Sequence, residues 1–371
     1  MSQRTLCEML ALPTAPFAEH LVIDYVRRFC AARPGVTVKA DASGNLLAHL
    51  RRGTRGIPRP VCLTAHLDHP GFVAERMLGR GRLRATWRGG VPPEYFPGAA
   101  VRFWVEGAWV RGRIESTTTV RQFGTLRVGQ VRIAVKQPVP PRSIGMWDLP
   151  DPVIRGRRIY ARGCDDLAGA AAMLDALDRL AGRRQSCEAY FLFTRAEEVG
   201  FVGALAAAHA GTIPKRCFVV AMETSSERPF ARMGDGVILR AGDKASTFTA
   251  AVTAHCQRVA TELAARDRAF KFQRKLMDGG TCESSAYCAL GYEATGICLA
   301  LGNYHNVDAR RKRIAPEYID LDDYASAVKW FIALAGSPHR YRGRDEILDR
   351  KLDEIRRYYR TLLRASVQGP R

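Results

Sequence analysis

Short, wholly apolar runs alternate along this chain with stretches whose apolar residues return at helical spacing, and the rhythm is interrupted once. Val61-Cys62-Leu63-Thr64-Ala65, Glu188 to Thr194 (EAYFLFT), Phe218-Val219-Val220-Ala221-Met222 and Ala294 to Leu301 (ATGICLAL) have the length and continuity of strands buried on both faces. Phe17 to Ala32 carries Leu21, Val22, Tyr25, Val26 and Phe29 at helical positions. Further helices are predicted over Leu167 to Ala181, Val199 to His209, Thr247 to Arg266, Asp322 to Ala335 and Asp345 to Ala365. Asp166 stands at the N-cap position of the first Ala-rich helix, with Arg179 in its last turn and Gly182 just past its end, and Gly211 closes the second. Strands around Val36-Val38 and Leu46 to Leu50, joined by a turn at Ser43-Gly44-Asn45, lead into this pattern.

The interruption runs from about Gly71 to Pro152. Helical periodicity vanishes there, and alternating segments such as Val101 to Val105, Trp109 to Ile114 and Val128 to Val135 are separated by Gly and Pro, as in a small antiparallel unit. The expected fold is therefore α/β: a phosphorylase/hydrolase-like mixed, mainly parallel sheet with helices on both faces, plus an inserted small antiparallel β-barrel-like domain. Residues 1–70 and 153–340 are expected to form the α/β domain, 71–152 the insertion, and 341–371 a basic C-terminal helix.

Size permits this division, since 371 residues exceed the roughly 250 to 300 at which single cores stop growing. The net charge of +20 would suggest an anionic partner, but 48 of the 57 basic residues are Arg, spread along the chain. The densest groups, Arg51-Arg52, Arg155 to Arg158, Arg310 to Arg313 and Arg340 to Arg360, read as solvated faces, and only Tyr358-Tyr359 interleaves aromatics among them. Neither nucleic acid nor membrane is the expected partner. Ten cysteines occur singly without a CxxC pair, which suits a reducing compartment. Glu8 interrupts the apolar N-terminal stretch, and no run of 18 apolar residues occurs anywhere, so a cytoplasmic location is expected.

The apolar runs acquire chemical meaning from the residues at their ends. His66-Leu67-Asp68, Asp165-Asp166, Glu197-Glu198, Glu223 and His305 each stand at the end of such a run, and in open α/β sheets the ligand crevice lies beyond the carboxyl ends of the strands. Two divalent ions roughly 3.5 to 4 Å apart repel each other, so a carboxylate must bridge them while each keeps its own carboxylate and imidazole. One bridging Asp, two terminal carboxylates and two His meet that need, and imidazole with carboxylate suits zinc, with cobalt or manganese as substitutes. Of Glu197 and Glu198, one can bind metal while the other faces the attacking water as base. Asp68, two residues after His66 on the same side of an extended segment, is placed to accept a hydrogen bond from its imidazole.

At these residues the chain resembles the glutamyl-aminopeptidase or tetrahedral (TET) aminopeptidase family of co-catalytic zinc exopeptidases, over about Gly44 to Ala335. The motifs are AHLDHPGF (65 to 72), GCDDLAGAAAML (163 to 174), TRAEEVGFVGA (194 to 204), RMGDGVILRAGD (232 to 243), DGGTCESSA (278 to 286) and LGNYHNVD (301 to 308). The resemblance implies two divalent ions, with His66 and Glu223 on one, Glu198 and His305 on the other, and Asp165 bridging. It also implies Glu197 as general base, Asp68 as imidazole partner, a cis peptide between Asp165 and Asp166, and a homo-oligomer assembled through the β insertion. The chain departs from the family pattern at Glu223, where Asp is common, at Cys282, which replaces an Asp after GGT, and at His69-Pro70. Cys164 and Cys282 read as stray thiols and His69 as a rim imidazole.

Three functions are compatible with this reading. The first is a metal-dependent aminopeptidase acting on short peptides. The second keeps the metals but cleaves as a carboxypeptidase, dipeptidase or N-acyl amino-acid deacylase, with arginines binding a substrate carboxylate. The third is a basic RNA- or partner-binding protein with an inactive metal site.

Overall fold

A computed structural model describes residues 3–53, 57–183, 186–336 and 341–367. The expected boundary at 340/341, Arg340 and the last four residues of the C-terminal segment lie outside the described residues. Helices α1 (Arg4–Ala11), α2 (His20–Ala31), α3 (Cys164–Ala181), α4 (Val202–His209), α5 (Ala250–Arg266), α6 (Glu283–Ala289) and α7 (Leu321–Gly336) surround an eight-stranded sheet, and α8 (Glu346–Ser366) follows them. Its spatial order is Val36–Ala40, Leu46–Arg52, Cys187–Thr194, Val61–His66, Phe218–Ser226, Ala294–Leu301, Val237–Asp243 and Phe272–Met277.

The four predicted apolar runs are the four central strands, and all are mutually parallel. They are mainly apolar because both faces are covered. Helices α1, α2, α3, α5 and α7 share one large core with the first face, and α4 and α6 pack on the other. Ala168, Ala170, Ala171, Ala172 and Ala176 of α3 are fully buried, so small side chains let this helix lie close on the sheet. The flanking strands make the sheet mixed: Leu46–Arg52 runs antiparallel to Cys187–Thr194, and Val237–Asp243 antiparallel to Ala294–Leu301.

Between the first two parallel strands the chain builds a closed antiparallel barrel of six strands, Gly71–Met77, Arg82–Arg88, Thr125–Val135, Ala108–Gln122, Ala100–Val105 and Ile144–Trp147. Phe72, Trp87, Phe96, Phe103 and Trp147 fill it, with Phe72 and Trp147 edge-to-face at 5.1 Å. The α/β pattern resumes with a small sheet of Val153–Arg155, Arg158–Ala161 and Glu317–Asp320.

Local differences from the sequence reading gather near the strand ends. Asp166 does not cap α3. The helix's hydrogen bonding starts at Cys164, Asp165 and Asp166 have non-helical dihedrals, and neither Asp166 carboxylate oxygen has a hydrogen-bond partner among the described residues. The helix expected from Val199 begins at Val202, because Gly200 and Phe201 take positive φ of 119° and 57° after a separate turn at Glu197–Val199. The strand expected to end at Met222 continues to Ser226, so Glu223 lies within it. Helices α1 and α6 are too short to show a clear period in the sequence.

Candidate metal centre

The parallel register fixes which side chains meet at the sheet's carboxyl edge. His66 closes its strand opposite Thr194, the last residue of the neighbouring strand, and Glu223 pairs with Cys298 one strand further on. Asp165 comes from the irregular start of α3, across a cis peptide to Asp166. His305 comes from a tight turn after Ala294–Leu301, where Asn303, His305 and Asn306 all have positive φ. Such dihedrals in non-glycine residues persist only where surrounding contacts over-determine them.

Here the fold brings the seven expected side chains together, five around Asp165 and Asp68 behind His66. His66 Nε2 lies 3.4 Å from Asp165 Oδ1 and 3.6 Å from Glu223 Oε1, while His305 Nε2 lies 3.8 Å from Asp165 Oδ2 and 3.0 Å from Glu198 Oε2. Asp165 thus stands between two imidazole–carboxylate pairs. Glu197 is beside them, its Oε2 3.9 Å from His66 Nε2. Ligand atoms of His66, Asp165 and Glu198 all lie within 4.8 Å of one another.

Among the described residues, Asp165 Oδ1, Glu198 Oε1 and His305 Nε2 are buried without a hydrogen-bond partner; the close His305–Glu198 contact lies off the ring N–H direction. Buried acceptors facing one another are costly unless something positive lies between them. Burial, and then Asp165, pushes the Glu223 carboxyl up to about 8. Burial also pushes Glu197 well above the carboxylate range, with Glu223, Glu198 and Asp68 adding to the rise. Burial opposes a charged imidazole, yet Glu198 and Asp165 hold His305 up to about 10. The crevice therefore carries negative charge that must be neutralised by protons or by cations, and the donor set of imidazoles and carboxylates fits a pair of divalent ions such as zinc.

Two further carboxylates brace this cluster from behind. Asp68 was expected to hold the His66 imidazole with its carboxylate. That carboxylate lies 3.5 Å from His66 Nδ1, beside the Asp68 carbonyl at 3.1 Å, and it also accepts the backbone N–H groups of Glu197 at 2.9 Å and Glu198 at 3.1 Å. The Glu-Glu turn bends back over the strand end, so its free N–H groups reach that carboxylate. Glu317 does the same for two other members of the cluster, accepting the backbone N–H of Asp165 at 3.0 Å and of His305 at 2.8 Å.

His69 departs from expectation. It is fully buried rather than at a rim, with Nδ1 donating to the Asp165 carbonyl at 2.6 Å and Nε2 3.0 Å from Asn306 Oδ1. Cys164 and Cys282 are buried thiols outside the ligand cluster. Gly90, in the connection between the barrel strands Arg82–Arg88 and Ala100–Val105, accepts from His305 Nδ1 at 2.9 Å and so turns Nε2 toward the acids. Glu317 and Asn306 were missed by sequence reasoning. The available signal was a buried acid opening the short strand Glu317–Asp320 (EYID), and an amide directly after His305.

A cleft opens beside the cluster, lined by Asp165, Glu197, Glu223, Ser225, Arg228, Arg240, Met277 and Thr281 among others. Arg240 is 2% exposed, donates to Ser225 Oγ at 3.2 Å, and its Nε has no partner among the described residues. Arg228 lies against Gly279, where a Cβ would collide with its guanidinium.

A mixed α/β sheet with a closed barrel inserted after its first parallel strand is the TET-peptidase type of fold. It is shared with the Pyrococcus horikoshii TET1 peptidase (TM-score 0.72, 21% identity, 90% of this chain and 99% of that one). An aminopeptidase from the archaeon Desulfurococcus kamchatkensis matches equally (TM-score 0.72, 21% identity, 90% and 94% of the two chains). The M42 glutamyl aminopeptidase family model matches residues 133–327, more than half of the chain, and the chain belongs to that family. A relative from Acetivibrio thermocellus named "Putative aminopeptidase" is 26% identical over 178 residues, 46% of this chain, which spans about half (51%) of that relative's length. Among the described residues no helix is long and apolar enough to cross a membrane.

Proposed function

We propose that this chain is a metal-dependent aminopeptidase that removes N-terminal residues from short peptides, working in a homo-oligomer in the cytoplasm. The observation that carries the reading is Asp165 set between the His66–Glu223 and His305–Glu198 pairs, with buried unpartnered atoms facing inward. His66, Glu223, Asp165, Glu198 and His305 would hold two divalent ions, zinc or in its place cobalt or manganese. Bound there, the ions would polarise the scissile carbonyl and lower the pKa of the attacking water. Glu197 takes the proton of that water and hands it to the departing amine, a task that suits a carboxyl whose pKa burial has raised. Asp68 positions Glu197 by fixing its backbone, and the free α-amine of the substrate meets the crevice carboxylates.

Arg228 and Arg240 in the adjoining cleft favour an anionic group on the substrate, which for an aminopeptidase is an acidic N-terminal side chain. The same guanidiniums suit the C-terminal carboxylate of a carboxypeptidase or dipeptidase substrate, or the carboxylate of an N-acyl amino acid, and this is the second reading. Free-amine anilides of Glu, Asp and Leu, their N-acetylated forms, and N-blocked against C-blocked dipeptides, each assayed with and without chelator, separate the two. Chelator-sensitive cleavage confined to free-amine substrates supports the first. Metal-loaded protein inactive across the whole panel would overturn both. The P. horikoshii relative assembles into a tetrahedron or a larger octahedral shell, which supports an oligomer here. Ten cysteines without a disulfide support a reducing compartment.

A further inference from the structure

Helix α8 lies beyond the family match, which ends at 327, and takes no part in the crevice. Its root is fixed, because Tyr341 is buried and its hydroxyl donates to Glu293 Oε1 at 2.6 Å. From there the helix leaves the body, and Leu348, Leu352, Ile355, Tyr359 and Leu362 are between 47% and 64% exposed. Their spacing is four, three, four, three, the a/d seam of a coiled coil. Twenty-one residues make about 31 Å of helix, a length that is marginal in water without a partner.

The charges say which partner fits. As far as Glu354 the helix has four acids, Glu346, Asp349, Asp353 and Glu354, against Arg350 and Lys351; after Ile355 it has Arg356, Arg357, Arg360 and Arg364 and no acid. A helix negative in its first half and positive in its second is complementary to itself when reversed, whereas parallel pairing sets base against base. A surface made for a membrane or RNA would gain nothing from four acids along the same rod. We propose that α8 packs antiparallel along its apolar seam against α8 of a second copy of this chain, giving a subunit contact separate from the barrel.

The test uses the full chain. Molar mass by light scattering and amide exchange over 346–366 are compared for the wild type, for Leu352→Lys with Leu362→Lys, for an acidic variant (Arg356, Arg357, Arg360 and Arg364→Glu) and for a basic variant (Glu346, Asp349, Asp353 and Glu354→Lys). In the wild type, exchange along the seam should be at least tenfold slower than in the Lys variant. The acidic and basic variants should each lose that protection, and an equal mixture of them should regain it. Where α8 links otherwise separate units, mass should fall at least twofold in the Lys variant. Wild-type exchange as fast as in the Lys variant would overturn the proposal, as would protection arising only with anionic phosphatidylserine vesicles or with RNA. Unchanged melting of the body in every variant shows that loss of protection is not misfolding.

Discussion

The carboxyl edge of the central strands and the outer edge of the same sheet both bury acids, and they treat them in opposite ways. At the outer edge, Asp243 accepts the backbone N–H groups of Ala245, Ser246 and Cys282 and the hydroxyl of Ser285, all at 2.8 to 3.0 Å. Asp323, in helix α7 packed beside the strand that ends at Asp243, accepts the N–H groups of Gly234 and Gly236 at 2.7 and 3.0 Å. At the carboxyl edge, Asp165 Oδ1 and Glu198 Oε1 have no donor among the described residues, although the donors lie close by. Asp68 and Glu317 take the nearby backbone N–H groups for themselves and leave the inward acids bare. Buried acids without donors are what a cation site needs, so the contrast sets carboxylates that hold the chain together, Asp243 and Asp323, against inward acids whose oxygens stay open.

Breaking the crevice should have the largest effect. Asp165→Ala removes the carboxylate set between the two imidazole–carboxylate pairs, so stoichiometric metal by elemental analysis should be lost. Anilide hydrolysis should fall by about 10⁴-fold, the several kcal/mol that metal assistance supplies. Asp243→Asn, the control from the outer edge, should lower the melting temperature and leave metal content unchanged. Equal metal loss in both variants would erase the distinction.

Glu197→Gln comes next. It keeps the size and the backbone bond to Asp68 but cannot take a proton, so kcat should fall by about 10³-fold while metal content and KM stay near wild type. A drop in metal content instead would make Glu197 a ligand and return the base role to Glu198.

The same contrast decides how much of the crevice is legible in the amino-acid sequence. The ligand candidates are legible because each stands at the end of an apolar run, and the parallel register carries His66 and Glu223 to one edge. The four central strands and the barrel are legible for the same reason, their periodicity being set by burial. The bracing groups are not, since Glu317 acts on backbone N–H groups 152 and 12 residues away, and no local pattern encodes that. His69 reads as a rim residue because its neighbour Pro70 suggests a turn, whereas Asn306 and the Asp165 carbonyl enclose it. Asp166 reads as a cap because Asp before an Ala-rich run is a frequent one, and only the three-dimensional structure shows that its carboxylate oxygens make no hydrogen bond to the helix N–H groups.

The braces should give intermediate effects. Asp68→Asn retains one acceptor for two N–H groups, and Glu317→Gln likewise, so each should cost about 10- to 100-fold in metal affinity or kcat/KM, the usual size for groups that orient ligands. Competition with a chelating dye measures the first quantity directly. A loss as large as that of Asp165→Ala would mean that these carboxylates reach the cations themselves.

The smallest effect belongs to the outer edge and concerns pH. Burial raises the Asp323 carboxyl from 3.8 to about 6, against the opposing pull of the Gly234 N–H. The folded chain therefore keeps a proton that the unfolded chain has released, and stability falls as pH rises from about 4 to about 6, levelling off above that. Over this window the loss is about 2 to 3 kcal/mol, and below it both states are protonated and the group is silent. Asp323→Asn cannot titrate, so urea midpoints of wild type and variant should diverge in slope between pH 4 and 6 and run parallel above 6, with anilide hydrolysis unchanged at neutral pH. Parallel slopes throughout would show that the two glycine N–H groups hold Asp323 ionised, and that the outer edge satisfies its acids even more completely than its burial implies.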